Sequence, residues 1–391
     1  MTEGAIAVGV AAMLSLAVAM GVGRFAFTPL YPLMLQDGLL NDEGGALLAA
    51  SNYLGYLVGA LVAARVAARS ATLMVLALIG TVMMTAAMGW TAALPAWAAL
   101  RFGAGVLSAW ALVATSAWAL GWLASLRRPQ HAGTVFAGVG LGIAAAGMFC
   151  WVAAKPGVGS MELWVGLATL TGIAIIAPLI VVSRLPAPAE PVTTATAAGQ
   201  SDPAAYHSTR GLIFCYTLYG LGYILPATYL PAMARNLVAD PQIFGLAWPL
   251  FGAAAVLSTV FAAWALKHTN RLKVWSVGHL LMALGVLLPL AWPSLAGISI
   301  AALLVGGTFM VITMVAMQEA RAVSPDNATP LLGKMTAGFA LGQLLGPLVP
   351  AAISRFTVDF FSALSIAMVL AAAGLLISSF YLWRQAAHRY L

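Results

Sequence analysis

Apolar residues run along this chain in long unbroken blocks, not in the alternation of strands or the one-sided stripes of surface helices. The blocks lie near 5–35, 45–64, 71–91, 95–123, 132–154, 161–183, 211–234, 243–266, 274–292, 296–318, 333–354 and 361–383. A helix needs roughly 20 apolar residues to cross the hydrocarbon core of a bilayer, so the pattern predicts twelve spanning helices. Continuous runs exclude a transmembrane barrel, whose strands alternate between lipid-facing and lumen-facing positions. The opening, MTEGAIAVGVAAML, has no Lys or Arg ahead of its apolar run. That run is also longer than a signal-peptide core, and it reads as a retained first span. The third and fourth spans are tightly spaced.

Composition agrees with lipid as the solvent. Of 391 residues, 62% are hydrophobic and 7% charged, with mean hydropathy +0.96, whereas about a quarter of a soluble domain is charged. A soluble protein of this composition could not cover its own surface, so a cytoplasmic globular fold is excluded. The net charge of +7 is explained by topology. With both termini in the cytoplasm, the inner loops and tails hold thirteen Lys and Arg residues, among them Arg65, Arg127, Arg128, Arg271 and Lys273. The outer loops hold Lys155, Arg235 and Arg355. This is the positive-inside bias of a multi-pass protein in a bacterial-type inner (plasma) membrane, and no nucleic-acid partner is needed. Cys150 and Cys215 lie far apart in apolar segments and suit neither a disulfide nor a metal site. No cofactor or metal is expected.

One connection differs from the rest. Residues 184–210, RLPAPAEPVTTATAAGQSDPAAYHSTR, are rich in Pro, Ala, Thr and Ser and have no apolar periodicity, the signature of a flexible linker. It divides the chain into two bundles of six helices, 1–183 and 211–391. The halves also align with each other. YGLGYILPATYLPAMA (219–234) matches MGVGRFAFTPLYPLML (20–35) at Gly21/Gly220, Gly23/Gly222, Pro32/Pro231 and Met34/Met233. AGFALGQLLGPL (337–348) matches AGVGLGIAAAGM (137–148) at Ala137/Ala337, Gly138/Gly338, Leu141/Leu341 and Gly142/Gly342. The two offsets, 199 and 200, agree within one residue. Both halves start on the same side, which makes this a parallel repeat about an axis along the membrane normal.

Twelve spans in two such halves with a long central loop resemble the major facilitator superfamily over essentially the whole chain. The sequence RFGAGVLSA (101–109) is similar to the family's Arg-x-x-x-Gly motif in the fourth helix. GFALGQLLGP (338–347) and the glycines of span five resemble its Gly-rich fifth-helix motif, and GVGRFAFTPLYPLM (21–34) looks most like the YbfB/YjiJ branch. The resemblance implies an all-α membrane fold of two pseudo-symmetric six-helix bundles, and a gating or coupling role for Arg101. Helix packing or snorkelling of Arg101 toward the outer interface is the alternative. The loop after span two, GALVAARVAARSA (59–71), lacks the acid of the family's Gly-x-x-x-Asp-Arg motif, so no salt bridge carries over there.

The candidate chemistry centres on Arg24. The repeat pairs it with Tyr223, at the middle of its span, so Arg24 is expected near the bilayer centre, where an arginine costs about 2.5–3.5 kcal/mol or more. It should therefore face the bundle interior. Pro29 and Pro32 are placed to open the helix just beyond it. None of the eleven acids lies mid-span, and Glu319, at the cytoplasmic end of span ten, comes closest. Two outlets remain for the charge: hydroxyls and backbone carbonyls, or a substrate that supplies the negative group. Tyr216, Tyr219 and Tyr223 share one face of span seven, Tyr53 and Tyr56 share a face of span two, and Gln343 is polar and mid-span. Packing is the alternative for each of them. His279 is expected at the interface, as a structural histidine.

Four functions compete. The leading one is a secondary carrier of a small organic anion, acting as a monomer, with Arg24, Tyr223, Tyr219, Tyr53 and Gln343 at the substrate and Arg101 and Glu319 in gating or coupling. Secondary transport follows because the chain has no phosphate-binding loop. With no mid-span acid, exchange, uniport or co-transport of a proton with the substrate ranks above an Asp/Glu relay. A drug efflux pump would suit the 17 methionines, but cationic drugs should want a carboxylate. A membrane enzyme needs clustered His and Asp, and the five histidines are scattered. A receptor or scaffold would need larger loops.

Overall fold

The computed structural model describes residues 2–63, 70–155, 157–185, 203–235, 237, 247–266, 269–324, 328–353 and 360–388. Across them the apolar blocks form helices α1 (Gly4–Gln36), α2 (Asp42–Ala63), α3 (Ser70–Met88), α4 (Leu94–Ser125), α5 (Ala132–Ala153) and α6 (Ser160–Arg184). The second half follows as α7 (Pro203–Arg235), α8 (Ala247–Ala265), α9 (Arg271–Ala291), α10 (Leu295–Val323), α11 (Ala328–Ile353) and α12 (Phe360–His388). No strand occurs among the described residues. Ten of these segments hold a stretch long and apolar enough to cross a membrane, and α2 and α11, helices of 22 and 26 residues, complete the set. The tight turn between α3 and α4 is real: Pro95 starts α4, and the Trp97 indole donates to the Met88 carbonyl at 3.0 Å.

The stretch 184–210 divides differently from its composition. Residues 186–202 lie outside the described residues, but from Pro203 on the chain is already helical in α7, and no helix breaker follows before Gly211. Residues 64–69, in the loop after α2, also fall outside the described residues.

The repeat is visible as atomic contact. A Cβ on Gly21 of α1 would fall on the backbone of Gly142 in α5, and one on Gly342 in α11 would fall on the backbone of Thr217 and Gly220 in α7. The Val139 carbonyl faces Gly21 as the Phe339 carbonyl faces Gly220. The matched glycines thus mark the same helix crossing in each half, where only a missing side chain lets two backbones meet. Replacing Gly342 by Ala is expected to destabilise the protein by about 1–3 kcal/mol, because the atoms it meets are backbone and cannot rotate away. The thermal midpoint in detergent reads this. Gly307→Ala, whose new methyl would find its nearest atom 3.9 Å away, serves as the control that leaves the midpoint unchanged or higher.

Between the halves, α5 packs on α8 and α2 on α11. The first contact is lined with glycine over the length of both helices: a Cβ on Gly133, Gly140 or Gly147 would meet Ala263, Gly252 or Pro249 respectively. Side chains turned outward are apolar, with Met83, Leu257, Phe261, Ile377 and Phe380 all largely exposed. Such a surface is soluble only in lipid.

Candidate functional site

α1 is not one continuous helix. Its first α-helical stretch, which ends at Leu16, widens into a π-helical turn at Ala17–Val22, loosens at 23–26, where Gly23 and Ala26 keep helical dihedrals, and resumes as Phe27–Gln36. Pro29 explains the break. It has no N–H for the Phe25 carbonyl and its ring crowds that group, so Thr28 takes the contact instead, N–H to Phe25 O at 3.1 Å. Arg24 sits in the break.

The carbonyls freed there are met by α4. Arg101 donates from Nη1 to the Gly23 oxygen at 3.1 Å and from Nη2 to the Arg24 oxygen at 2.9 Å. Two turns on, Ser108 donates to the Ala19 oxygen at 2.7 Å. Between them, Gly105 lets α4 close on α2, since a Cβ there would fall on the Asn52 carbonyl. Asn52 in turn donates to the Arg101 oxygen at 2.9 Å. The Arg-x-x-x-Gly motif therefore works as a brace on the broken helix. Snorkelling is ruled out for Arg101: it is 3% exposed, because the carbonyls of the break offer its fork a better partner than the interface does. Arg101→Lys, which can reach only one carbonyl at a time, is expected to lower stability by about 1–3 kcal/mol. The measurement is the thermal midpoint, with Ser108→Ala giving a smaller drop of about 1 kcal/mol.

The braced turn directs the Arg24 side chain into the bundle, where it is 3% exposed. Its guanidinium lies over the Tyr56 ring at 3.7 Å, with Phe25, Tyr53 and Phe339 at 5.4, 5.9 and 5.9 Å. Ring faces attract a cation. A hydrogen bond from Arg24 Nη2 to Gln343 Oε1 crosses between the halves. Arg24 Nε and Nη1, Gln343 Nε2 and the Tyr223 hydroxyl have no hydrogen-bond partner. Each of these is a group that can donate.

Glu319 does not neutralise the site. It is 1% exposed but pairs with Arg271 Nε at 3.0 Å, and lies six residues beyond Thr313, about 9 Å further along α10. Among the described residues, the buried fully charged groups are Arg24, Arg101 and Glu319. No group of three or more His, Cys, Asp or Glu gathers among them to hold a metal.

The remaining candidates converge on the same level. Tyr223 is fully buried and stacks on Phe309, ring centroids 5.0 Å apart. The Tyr219 hydroxyl is engaged, donating to the Phe309 oxygen at 2.6 Å with Thr313 Oγ1 at 3.2 Å, so this residue offers its ring to the site. Tyr53 is half-buried, and Tyr56, its neighbour on the same face, is the closer ring to Arg24. His279 is fully buried in α9, accepts from the Trp275 indole at 2.9 Å, and stacks on Tyr219, the contacts of a structural histidine. Sequence reasoning missed Phe25, Phe309 and Phe339. Phe25 adjoins Arg24 and Phe339 lies within the matched block 337–348, but no periodicity sets Phe309 apart from lipid-facing phenylalanines.

Residues 16–382 match the family described as "Uncharacterised MFS-type transporter YbfB". Among solved structures, the chain is similar to the human organic anion transporter MFSD10 (TETRAN), with a TM-score of 0.71 over 97% of this chain and 98% of that one, at 15% identity. At that identity the likeness is one of fold. No curated protein matches the chain.

Proposed function

Because the chain belongs to the YbfB-type transporters of the major facilitator superfamily, we propose that it is a secondary active carrier whose substrate is a small organic anion bound at Arg24. A single observation carries this reading: a buried guanidinium with two unclaimed nitrogens sits among further donors on Gln343 and Tyr223, with no carboxylate among the described residues paired with it. Leaving a buried donor unpaired costs about 1–3 kcal/mol, more when it is charged. A carboxylate entering the site would claim several such donors at once. Gln343 suits the exchange, since its amide can accept from Arg24 when the site is empty and donate to an anion when it is full.

In this reading the halves 1–183 and 211–391 rock about a substrate held by both, joined by the cytoplasmic linker 184–210. The protein acts as a monomer in a bacterial-type inner membrane with both termini inside. Braced by Arg101, the Arg24 turn keeps its aim through the cycle, and Glu319 with Arg271 gates the cytoplasmic end. A loaded site is electrically neutral, which favours anion exchange or co-transport of the substrate with a proton. Export of apolar or cationic drugs draws support from the aromatic wall, but a cation would have to approach Arg24 in a medium that screens poorly.

Counterflow in proteoliposomes tests the reading. Vesicles loaded with a mixture of organic anions should accumulate labelled members of that mixture and ignore cationic dyes. Movement of cationic dyes with no movement of any anion would replace it by the efflux reading.

A further inference from the structure

Resting on the anion reading, we infer that the substrate is an aromatic carboxylate, its acid group on Arg24 and its flat ring against the aromatic wall of the second half. The two halves bring different chemistry to one level. The first supplies the cation and, in Tyr56, the ring nearest to it at 3.7 Å. The second supplies the further wall: Phe339 lies 5.9 Å from the guanidinium, and Tyr223 stacks on Phe309 at an interplanar angle of 16°. Phe25, next to Arg24 in the chain, turns its edge to Phe309 at 6.3 Å and to Trp248 at 6.5 Å. The wall therefore begins where the charge ends, and a ligand that fills the site has its polar and flat parts joined directly.

The hydrogen-bonding inventory narrows the class. Besides the unclaimed nitrogens of Arg24 and Gln343, the Trp248 indole nitrogen and the hydroxyls of Tyr56 and Tyr223 are buried without a partner, so the groups that only donate outnumber the two hydroxyls, which can also accept. A guanidinium, an amide N–H and an indole donate and do not accept. An amino acid would bring an ammonium that finds no carboxylate here, and a sugar would bring hydroxyl hydrogens that need acceptors. A carboxylate only accepts. With Nη2 shared with Gln343, each edge of the Arg24 fork keeps an unclaimed N–H, which suits one carboxylate with two oxygens. A doubly charged inorganic anion would need a full shell of donors where this site offers ring faces.

Binding to the purified protein, by calorimetry, is compared for benzoate, cyclohexanecarboxylate, acetate, inorganic phosphate and the neutral benzyl alcohol. The expected order places benzoate first and cyclohexanecarboxylate, of similar size but not flat, below it. Acetate and phosphate should fall at least about tenfold short of benzoate, the worth of a stacked ring pair. Phe309→Leu, which keeps an apolar side chain and the backbone carbonyl that Tyr219 uses, should lose most of the preference for benzoate over acetate. If acetate or phosphate bound as tightly as benzoate, or Phe309→Leu left the preference intact, the aromatic inference would fall while the anion reading stood. If benzyl alcohol matched benzoate, or no anion bound, the anion reading itself would fall and take the inference with it.

Discussion

Arg24→Ala is expected to abolish anion uptake, and Arg24→Lys to weaken binding roughly 30-fold or more, with both proteins folded. Losing one partner of a buried, hydrogen-bonded charge pair costs about 2–5 kcal/mol, and every 1.4 kcal/mol is a factor of ten in affinity. Lysine keeps the charge and still fails, because a single ammonium cannot reproduce the planar fork that holds a carboxylate at two points. The stability of the variants separates this role from a structural one. A buried guanidinium with Nε and Nη1 unpartnered is a burden on the empty protein, so its removal should leave the thermal midpoint unchanged or raise it. If Arg24 were instead a structural tie, Arg24→Ala would unfold the bundle or lower its midpoint sharply. Uptake at the wild-type rate in a well-folded Arg24→Ala protein would end the anion reading.

Gln343→Glu should silence the carrier as completely by the opposite route. The change replaces an amide nitrogen by an oxygen at nearly constant shape and puts a carboxylate on the group that already receives the Arg24 hydrogen bond. A permanent internal counter-ion would then occupy the place meant for the substrate. Anion uptake should fall about a hundredfold, comparable to the loss of a buried charged contact. The thermal midpoint should rise, because a charged pair now ties α1 to α11 across the two halves. Gln343→Ala gives the contrast: it frees the guanidinium, loosens the tie, and should retain measurable uptake with a higher KM. An active Gln343→Glu protein would mean that the substrate does not meet Arg24.

How much of this could be read in the chain depends on what each feature answers to. The helices answer to the solvent: continuous apolar runs located the twelve helices of the described residues, ten of them long and apolar enough to cross a membrane. The repeat answers to backbone contact. Gly21 and Gly142 in one half, and Gly220 and Gly342 in the other, can be matched by spacing because any side chain at those crossings would separate the helices. The same alignment led to the expectation that Arg24 faces the bundle interior, and it is buried there. What stayed hidden depends on departures from helical regularity. Arg101 is buried only because the turn at 23–26 frees carbonyls that no count of apolar residues reveals. The helical conformation of 203–210 within a polar stretch has no apolar period to announce it. Phe309 and Phe339 are nearly inaccessible while Phe261 and Phe380 are each 64% exposed, and the four are the same residue type in the same kind of helix. Which face a phenylalanine takes is decided by neighbours distant in sequence.

The interruption in α1 also has a mechanical meaning. The piece beyond the turn is held at both ends: Arg101 of α4 binds the carbonyls of Gly23 and Arg24, and the carboxylate of Asp37 accepts from the backbone N–H of Ser160, at 2.6 Å, where α6 begins. Phe27–Gln36 is thus a short strut pinned to one neighbouring helix at the arginine and to another at its far end. A solute pulling on Arg24 would load α4 and α6 together.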